Sequence, residues 1–268
     1  MKVAAIQMVS GISLDQNLAQ AHQLLEQARV AGAELAVLPE YFCFMGHSDR
    51  DKLVLAETPG LGTVQDFLAD SAREMGMWIV GGTLPMATDD PEHAANASVV
   101  YDPKGKPVAR YDKIHLFRYD NGRETYDEAA VLAAGETPTT FQLTDRSGQA
   151  WTVGMSVCYD LRFPELYRKL GADILLVPSA FTHTTGQAHW EVLLRARAIE
   201  NQAYVVASAQ GGTHENGRQT WGQSMIIDPW GTVLGQHASG PGVVICDVEM
   251  TRLQELRRQL PALQHRRL

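Results

Sequence analysis

The chain has 268 residues, 45% of them apolar and 20% charged, with a formal net charge of −8. That composition supports a full hydrophobic core and excludes a disordered chain. The acidic balance argues against nucleic acid as a partner, since phosphate binding requires basic patches.

In chain order, Lys2 to Met8 reads as a buried strand that turns polar too early for a signal peptide. Ser13 with Gln16 three residues on forms a capping box, opening a helix with apolar residues at Leu14, Leu18, Ala21, Leu24, Leu25 and Ala28 and a stop at Gly32. Leu35 to Leu38 predicts a second buried strand running into Pro39-Glu40. A helix over Val64 to Met75 and a strand over Trp78 to Thr83 repeat the unit. Ala97 to Tyr101 and Pro107 to Tyr111 flank Asp102-Pro103-Lys104-Gly105, a hairpin signal. Thr152 to Val157 is a short buried strand, followed by a helix opened by Pro164. A strand over Asp173 to Pro178, a helix over Gln187 to Asn201, and strands at Tyr204 to Ala209, Ser224 to Asp228 and Val243 to Val248 follow. A last helix spans Met250 to Leu260 before a short basic tail. Strands alternating with helices and hairpins point to α/β layers with mixed sheets. With no linker, repeat or low-complexity segment, residues 1–268 read as a single domain, the last few residues a tail. No run is long enough to span a membrane.

Cysteine is the first pointer to chemistry. Cys43, Cys158 and Cys246 are odd in number and form no CxxC, which fits a reducing, cytoplasmic compartment. Cys43 (YFCF) and Cys246 (VVICDV) sit in apolar contexts and read as core packing. Cys158 falls at the turn between its strand and the following helix. A helix N-terminus there is expected to lower the thiol pKa and favour developing negative charge.

Three other polar residues stand at the ends of expected strands or in the loops beyond them, where α/β folds place their sites. Glu40 follows LAVLP, Lys113 ends VARYDK, and Glu128 lies in YDEAAVLAAGE. Each alone reads as a solvated charge. Together with Cys158 they supply a thiol, a carboxylate base and a fixed ammonium for an oxyanion.

The segments LPEYF, RYDKIHLF and GMSVCYDLRFPELYR resemble the carbon–nitrogen hydrolases of the nitrilase superfamily over nearly the whole chain. The resemblance implies a four-layer α-β-β-α sandwich, a homodimer or larger homo-oligomer, and a Glu–Lys–Cys triad of Glu40, Lys113 and Cys158 with Glu128 as auxiliary acid. It implies a small-molecule amide as substrate and no metal or organic cofactor. Within the superfamily, SAFTHTTGQAHWEVLLRARAIENQAYVVASAQ, WGQSMIIDPWGTVL and LRRQLPALQHRR are most similar to the deaminated glutathione amidase branch. That branch implies cleavage of deaminated glutathione to 2-oxoglutarate and cysteinylglycine. The omega-amidases acting on 2-oxoglutaramate are a sister branch, in which Asn usually stands at the position of Thr182. A nitrilase and a catalytically silent binding subunit remain as alternatives. In the expected reaction a thioester forms on Cys158, the Tyr159 backbone N–H joins Lys113 at the oxyanion, and Arg162, Phe181 and Thr182 contact substrate.

Other attractive residues carry less. His183 and His189 are six apart with no Cys/His cluster nearby, so a zinc site is not expected. His115 reads as a packing or hydrogen-bonding neighbour of the Lys113 strand. Arg195, Arg197, Glu191 and Glu200 read as structural ion pairs or solvated charges. Arg162 has two readings, an ion pair with Asp160 or Glu165, or a bidentate clasp on a substrate carboxylate.

Overall fold

Strand Lys2–Gln7 is buried on both faces, and its side chains alternate between two hydrophobic clusters. Val3 and Ala5 belong to the larger cluster, whereas Ala4 and Ile6 join a second one packed with helical residues. Leu35 and Val37 against Ala36 and Leu38, and Val80 against Ile79, repeat the division. This is the period of two of a pleated strand sandwiched between layers, and it explains why these strands read as unbroken apolar runs.

The computed structural model describes residues 1–267. One sheet runs in the order Gly242–Asp247, Lys2–Gln7, Leu35–Val37, Trp78–Val80, Ala94–Tyr101, Leu84–Ala87, with Pro107–Asp112 and Leu132–Ala133 also paired to Ala94–Tyr101. The other runs Thr140–Thr144, Ala150–Met155, Ile174–Leu176, Tyr204–Ala207, Ser224–Ile227, Val233–His237. Both are parallel at the centre and antiparallel toward the edges. Helices Leu14–Val30 and Thr63–Met75 cover the first sheet through Leu24, Leu25, Leu68 and Ala72. Helices Pro164–Leu170 and His183–Asn201 cover the second through Leu166, Leu170, Trp190 and Leu194. The sheets pack face to face, and Ser208 Oγ donates across the gap to the Val37 carbonyl at 2.8 Å. The result is the four-layer α-β-β-α sandwich. Among the described residues, no helix is long and apolar enough to cross a membrane.

The hairpin at Asp102 forms as expected, its carboxylate accepting from the Lys104 and Lys106 N–H groups at 2.9 Å. Ser13 caps its helix by accepting from Gln16 N at 3.4 Å, which supplies one half of the expected box. Helix His183–Asn201 starts four residues earlier than its apolar pattern suggests, capped by Thr182. Gly186 hides that first turn from a propensity reading. Its missing side chain is required, because a Cβ would stand 2.2 Å from Trp221 Cβ. The ribbons Arg118–Asp120 with Thr125–Asp127, and Gly211–Thr213 with Gln219–Trp221, escape prediction because three-residue, largely polar strands carry no alternation.

Candidate active site

Glu40 sits where strand Leu35–Val37 runs out at the edge of the sandwich. Gly82 permits that arrangement, since its φ is +49° and a Cβ there would lie 2.0 Å from the Pro39 carbonyl oxygen. Tyr41, directly after Glu40, holds a left-handed φ of 56°. Its N–H donates to Thr83 Oγ1 at 2.9 Å, which fixes the bend from the second side. Cys158 holds a left-handed φ of 49° as well. A non-glycine residue in that region is uncommon and persists only where its surroundings enforce it.

What enforces it is Asp160. Its buried carboxylate accepts from Val157 N at 2.8 Å, His115 N at 3.1 Å and Tyr111 OH at 2.7 Å, and lies 2.6 Å from His115 Nδ1. His115 in turn stacks on Phe163, the ring centroids 3.7 Å apart. From the other side, Arg197 Nε and Nη2 donate to the Leu161 carbonyl, and Cys158 N donates to the Pro178 carbonyl at 2.9 Å. The strand ends at Met155, and residues Cys158–Arg162 form a 3-10 turn ahead of the helix at Pro164. So Cys158 heads a tight turn rather than the helix itself. Cys158, Tyr159 and Asp160 begin that turn, where N–H groups have no partner within the helix. Those of Cys158 and Asp160 are engaged by Pro178 O and Val157 O, and the Tyr159 N–H lies between them.

Lys113 is wholly buried, with 0% exposure. Its Nζ donates to Glu40 Oε1 at 2.9 Å and to Glu128 Oε1 and Oε2 at 2.9 and 2.7 Å. Glu40 Oε1 also accepts from Asn96 Nδ2 at 3.0 Å, and Oε2 from the Ala180 N–H at 2.9 Å. Glu128 accepts from Tyr41 OH at 2.8 Å and from Phe117 N at 2.7 Å. Burial opposes the charge on Lys113, but the two carboxylates outweigh it and hold the ammonium well above its ordinary pKa. Burial likewise works against Glu128, yet Lys113 holds it below the usual carboxylate value. The Cys158 thiol goes the other way. Burial pushes it well above its ordinary value and the Glu40 charge pushes it further, with Lys113 opposing. The thiol therefore rests protonated beside the Glu40 carboxylate, which accepts from Lys113, Asn96 and the Ala180 N–H. This corrects the expectation of a thiol pKa lowered by a helix end, because desolvation and a carboxylate neighbour outweigh one turn of backbone dipoles.

A narrow pocket opens over this cluster, lined by Glu40, Glu128, Cys158 and Tyr159. Arg162, Phe181, Thr182 and Arg218 line it as well, while Lys113 lies behind the wall. The structure thus brings Glu40, Glu128, Cys158 and Tyr159 together with Arg162, Phe181 and Thr182 around one pocket, and Lys113 reaches the same carboxylates from behind. Arg162 pairs with neither Asp160 nor Glu165. Its guanidinium lies over the rings of Tyr159 and Phe181, 5.7 and 5.4 Å from the centroids, and its Nη1 is 3.2 Å from His189 Nδ1. Thr182 lines the cavity although its hydroxyl is also the helix cap. Arg197 pairs with Glu200 at 2.8 Å and Arg195 with Glu191 at 3.4 Å, the structural pairs expected. Sequence reasoning missed Asn96, Tyr41, Asp160 as a brace, and Arg218. Asn96 carried a signal, being a polar residue inside the apolar run AANASVVY. Among the described residues, no group of three or more His, Cys, Asp or Glu is placed to hold a metal ion.

Paired mixed sheets flanked by helices, with a Glu–Lys–Glu–Cys cluster where their strands end, define a nitrilase-type hydrolase. Residues 2–258 match the carbon–nitrogen hydrolase family model, and the chain belongs to that family. It is 42% identical over 269 residues to the deaminated glutathione amidase of Synechocystis sp., covering 98% of this chain and 97% of that protein. The crystal structure of the Caenorhabditis elegans nitrilase and fragile histidine triad fusion protein superposes with a TM-score of 0.87 at 36% identity. That match covers 99% of this chain, which spans 65% of the fusion protein. An amidase from Nesterenkonia sp. AN1, with acrylamide added at its active-site cysteine, superposes with a TM-score of 0.79 at 26% identity over 97% of this chain and 98% of that one.

Proposed function

We propose that this carbon–nitrogen hydrolase cleaves deaminated glutathione to 2-oxoglutarate and cysteinylglycine through a thioester on Cys158. The observation that carries the chemistry is the pairing of a protonated, buried thiol with the Glu40 carboxylate, which accepts from Lys113, Asn96 and the Ala180 N–H. Glu40 takes the thiol proton as the sulfur attacks the amide carbonyl, so no free thiolate is exposed beforehand. The oxyanion is stabilised by the Tyr159 N–H and by Lys113. All three protons of Lys113 are engaged by carboxylate oxygens at rest, so it acts through its charge and frees one N–H by loosening its two-pronged contact with Glu128. Protonated Glu40 then hands its proton to the leaving nitrogen. Water activated by the same carboxylate hydrolyses the thioester and restores the thiol. Glu128, held by Tyr41 and Phe117 N, keeps Lys113 charged and in place.

The substrate reading is supported by the full-length likeness to a relative of that name and by the pocket's chemistry. Arg162, free of any carboxylate among the described residues, offers a clasp for the 2-oxo acid carboxylate, with Phe181 and Thr182 beside it. The chain acts as one domain in a cytoplasmic setting, consistent with three unpaired cysteines. Copies of the chain form a homodimer or larger homo-oligomer, for which the exposed Val192 and Ile199 of helix His183–Asn201 and Trp230 are candidate contacts.

Intact-protein mass spectrometry with product analysis tests the reading, using wild type and Cys158→Ala with deaminated glutathione and with 2-oxoglutaramate. The expected result is faster release of cysteinylglycine by wild type than of ammonia from 2-oxoglutaramate, and at least about 10⁴-fold less by the variant. The reverse preference keeps the chemistry and moves the enzyme to the omega-amidases.

A further inference from the structure

Arg218 lines the same cavity but takes no part in the reaction as proposed above. Its surroundings are unusual for a cation set into a protein wall. Among the described residues it forms no ion pair. Its Nη2 reaches the Ala180 carbonyl only at 3.4 Å, its Nη1 lies 3.9 Å from the Met45 sulfur, and its guanidinium stands 5.2 Å from the centroid of the Tyr126 ring. Its Nε is buried with no hydrogen-bond partner. A half-buried guanidinium whose buried Nε finds no acceptor is costly unless an anion arrives to take it. Burial opposes the charge, and the neighbouring tyrosines and acids, Glu40 and Asp49 among them, outweigh it, so the side chain remains a cation.

Position says which anion. The segment Ala180-Phe181-Thr182 forms one wall of the cavity, and the two arginines touch it at successive residues. Arg218 reaches the Ala180 carbonyl, while Arg162 lies over the Phe181 ring. The Ala180 N–H is bonded to Glu40, the group that must deliver a proton to the departing nitrogen. Arg218 therefore reaches the wall on the Glu40 side, from which the leaving nitrogen takes its proton, while Arg162, four residues beyond Cys158, touches the next residue of that wall. In a cysteinylglycine leaving group the terminal carboxylate lies two residues from that nitrogen, about 7 Å along an extended chain, a span that carries it past Glu40 toward the rim.

We infer that Arg218 is the subsite for a second carboxylate, the one on the leaving-group half of the substrate, so that the pocket selects amides bearing an acid at each end. This rests on the reading of the reaction given above and deepens it. The two arginines divide the labour: the acyl-side carboxylate is common to deaminated glutathione and 2-oxoglutaramate, and only the former presents the second.

The test compares three amides with wild type, Arg218→Gln and Arg218→Lys, each first checked for an unchanged melting profile. The amides are deaminated glutathione, the same molecule with its terminal carboxylate converted to a carboxamide, and 2-oxoglutaramate. Wild type is expected to favour the diacid over its carboxamide by about tenfold or more in kcat/KM, mainly through KM. Arg218→Gln collapses that ratio toward one, and Arg218→Lys, which retains a charge without the fork, recovers part of it. A ratio unchanged in Arg218→Gln overturns the inference. So does an equal loss on all three amides, which would mark Arg218 as a brace for the reacting groups. If wild type itself cleaves 2-oxoglutaramate but neither of the longer amides, the substrate reading falls and takes this subsite with it, a failure visible before any variant is made.

Discussion

The floor and the rim of the one cavity are built on opposite principles. On the floor, Lys113, Glu40 and Glu128 are 0%, 1% and 8% exposed, and every donor of Lys113 meets a carboxylate oxygen within 2.9 Å. At the rim, Arg162 and Arg218 lie over aromatic rings and meet no carboxylate among the described residues. The floor is satisfied before substrate arrives, so the reaction asks of it only that Lys113 loosen one of its two contacts with Glu128. The rim is left short of anions and completes itself only on binding. Preorganisation belongs where bonds change, and unmet hydrogen-bonding capacity belongs where a ligand is chosen.

That contrast breaks most sharply at Lys113. Lys113→Met leaves two buried carboxylates facing each other with no cation between them. It should cost about 3–5 kcal/mol of stability, read by urea denaturation, together with all measurable activity. Retention of wild-type stability would mean the floor is not the rigid network described here.

Glu40→Gln is the next largest perturbation and separates charge from shape. The amide keeps the volume, while kcat should fall by roughly 10²–10⁴-fold as the base is lost. The thiol should respond in the opposite sense to a simple loss of function. Glu40 raises the Cys158 pKa and Lys113 lowers it, so removing the carboxylate charge lowers that pKa. The rate of iodoacetamide alkylation at Cys158, followed against pH, should therefore rise at a lower pH in the variant than in wild type. An unmoved or raised profile would show that Glu40 does not govern the thiol. Cys43 provides the internal contrast, since burial, with the Glu57 charge adding to it, pushes its thiol up to about 12, and Glu40 is not among the charges acting on it.

The smallest effect on stability is expected at the rim. Arg162→Ala removes a side chain held by ring faces and by His189, and the melting free energy should change by no more than about 0.5 kcal/mol. KM for 2-oxo acid amides should nonetheless rise about tenfold or more. An unchanged KM would remove Arg162 from substrate binding, and a large stability loss would erase the distinction between rim and floor.

Sequence alone determined the layers and the chemical cast. Long apolar runs, helical repeats and a tight turn are local signals, and the strand ends at Glu40 and Lys113 and the turn at Cys158 followed from them, with family resemblance supplying the grouping. What it did not contain was the sense of the thiol's pKa, which depends on burial and on Glu40, 118 positions away in the chain yet adjacent in space. Nor did it reveal Asn96, Asp160 or Arg218 in their roles. Asn96 and Asp160 are ordinary polar residues until two sheets close around them and leave a carboxylate and a backbone turn in need of partners. Arg218 sits in a short polar ribbon with no periodicity, and only the packing of that ribbon against Met45 and Ala180 turns a surface-type residue into a half-buried cation lacking an anion. Local patterning fixes which faces are buried, whereas desolvation and charge are properties of what finally surrounds a group, and those the tertiary structure decided.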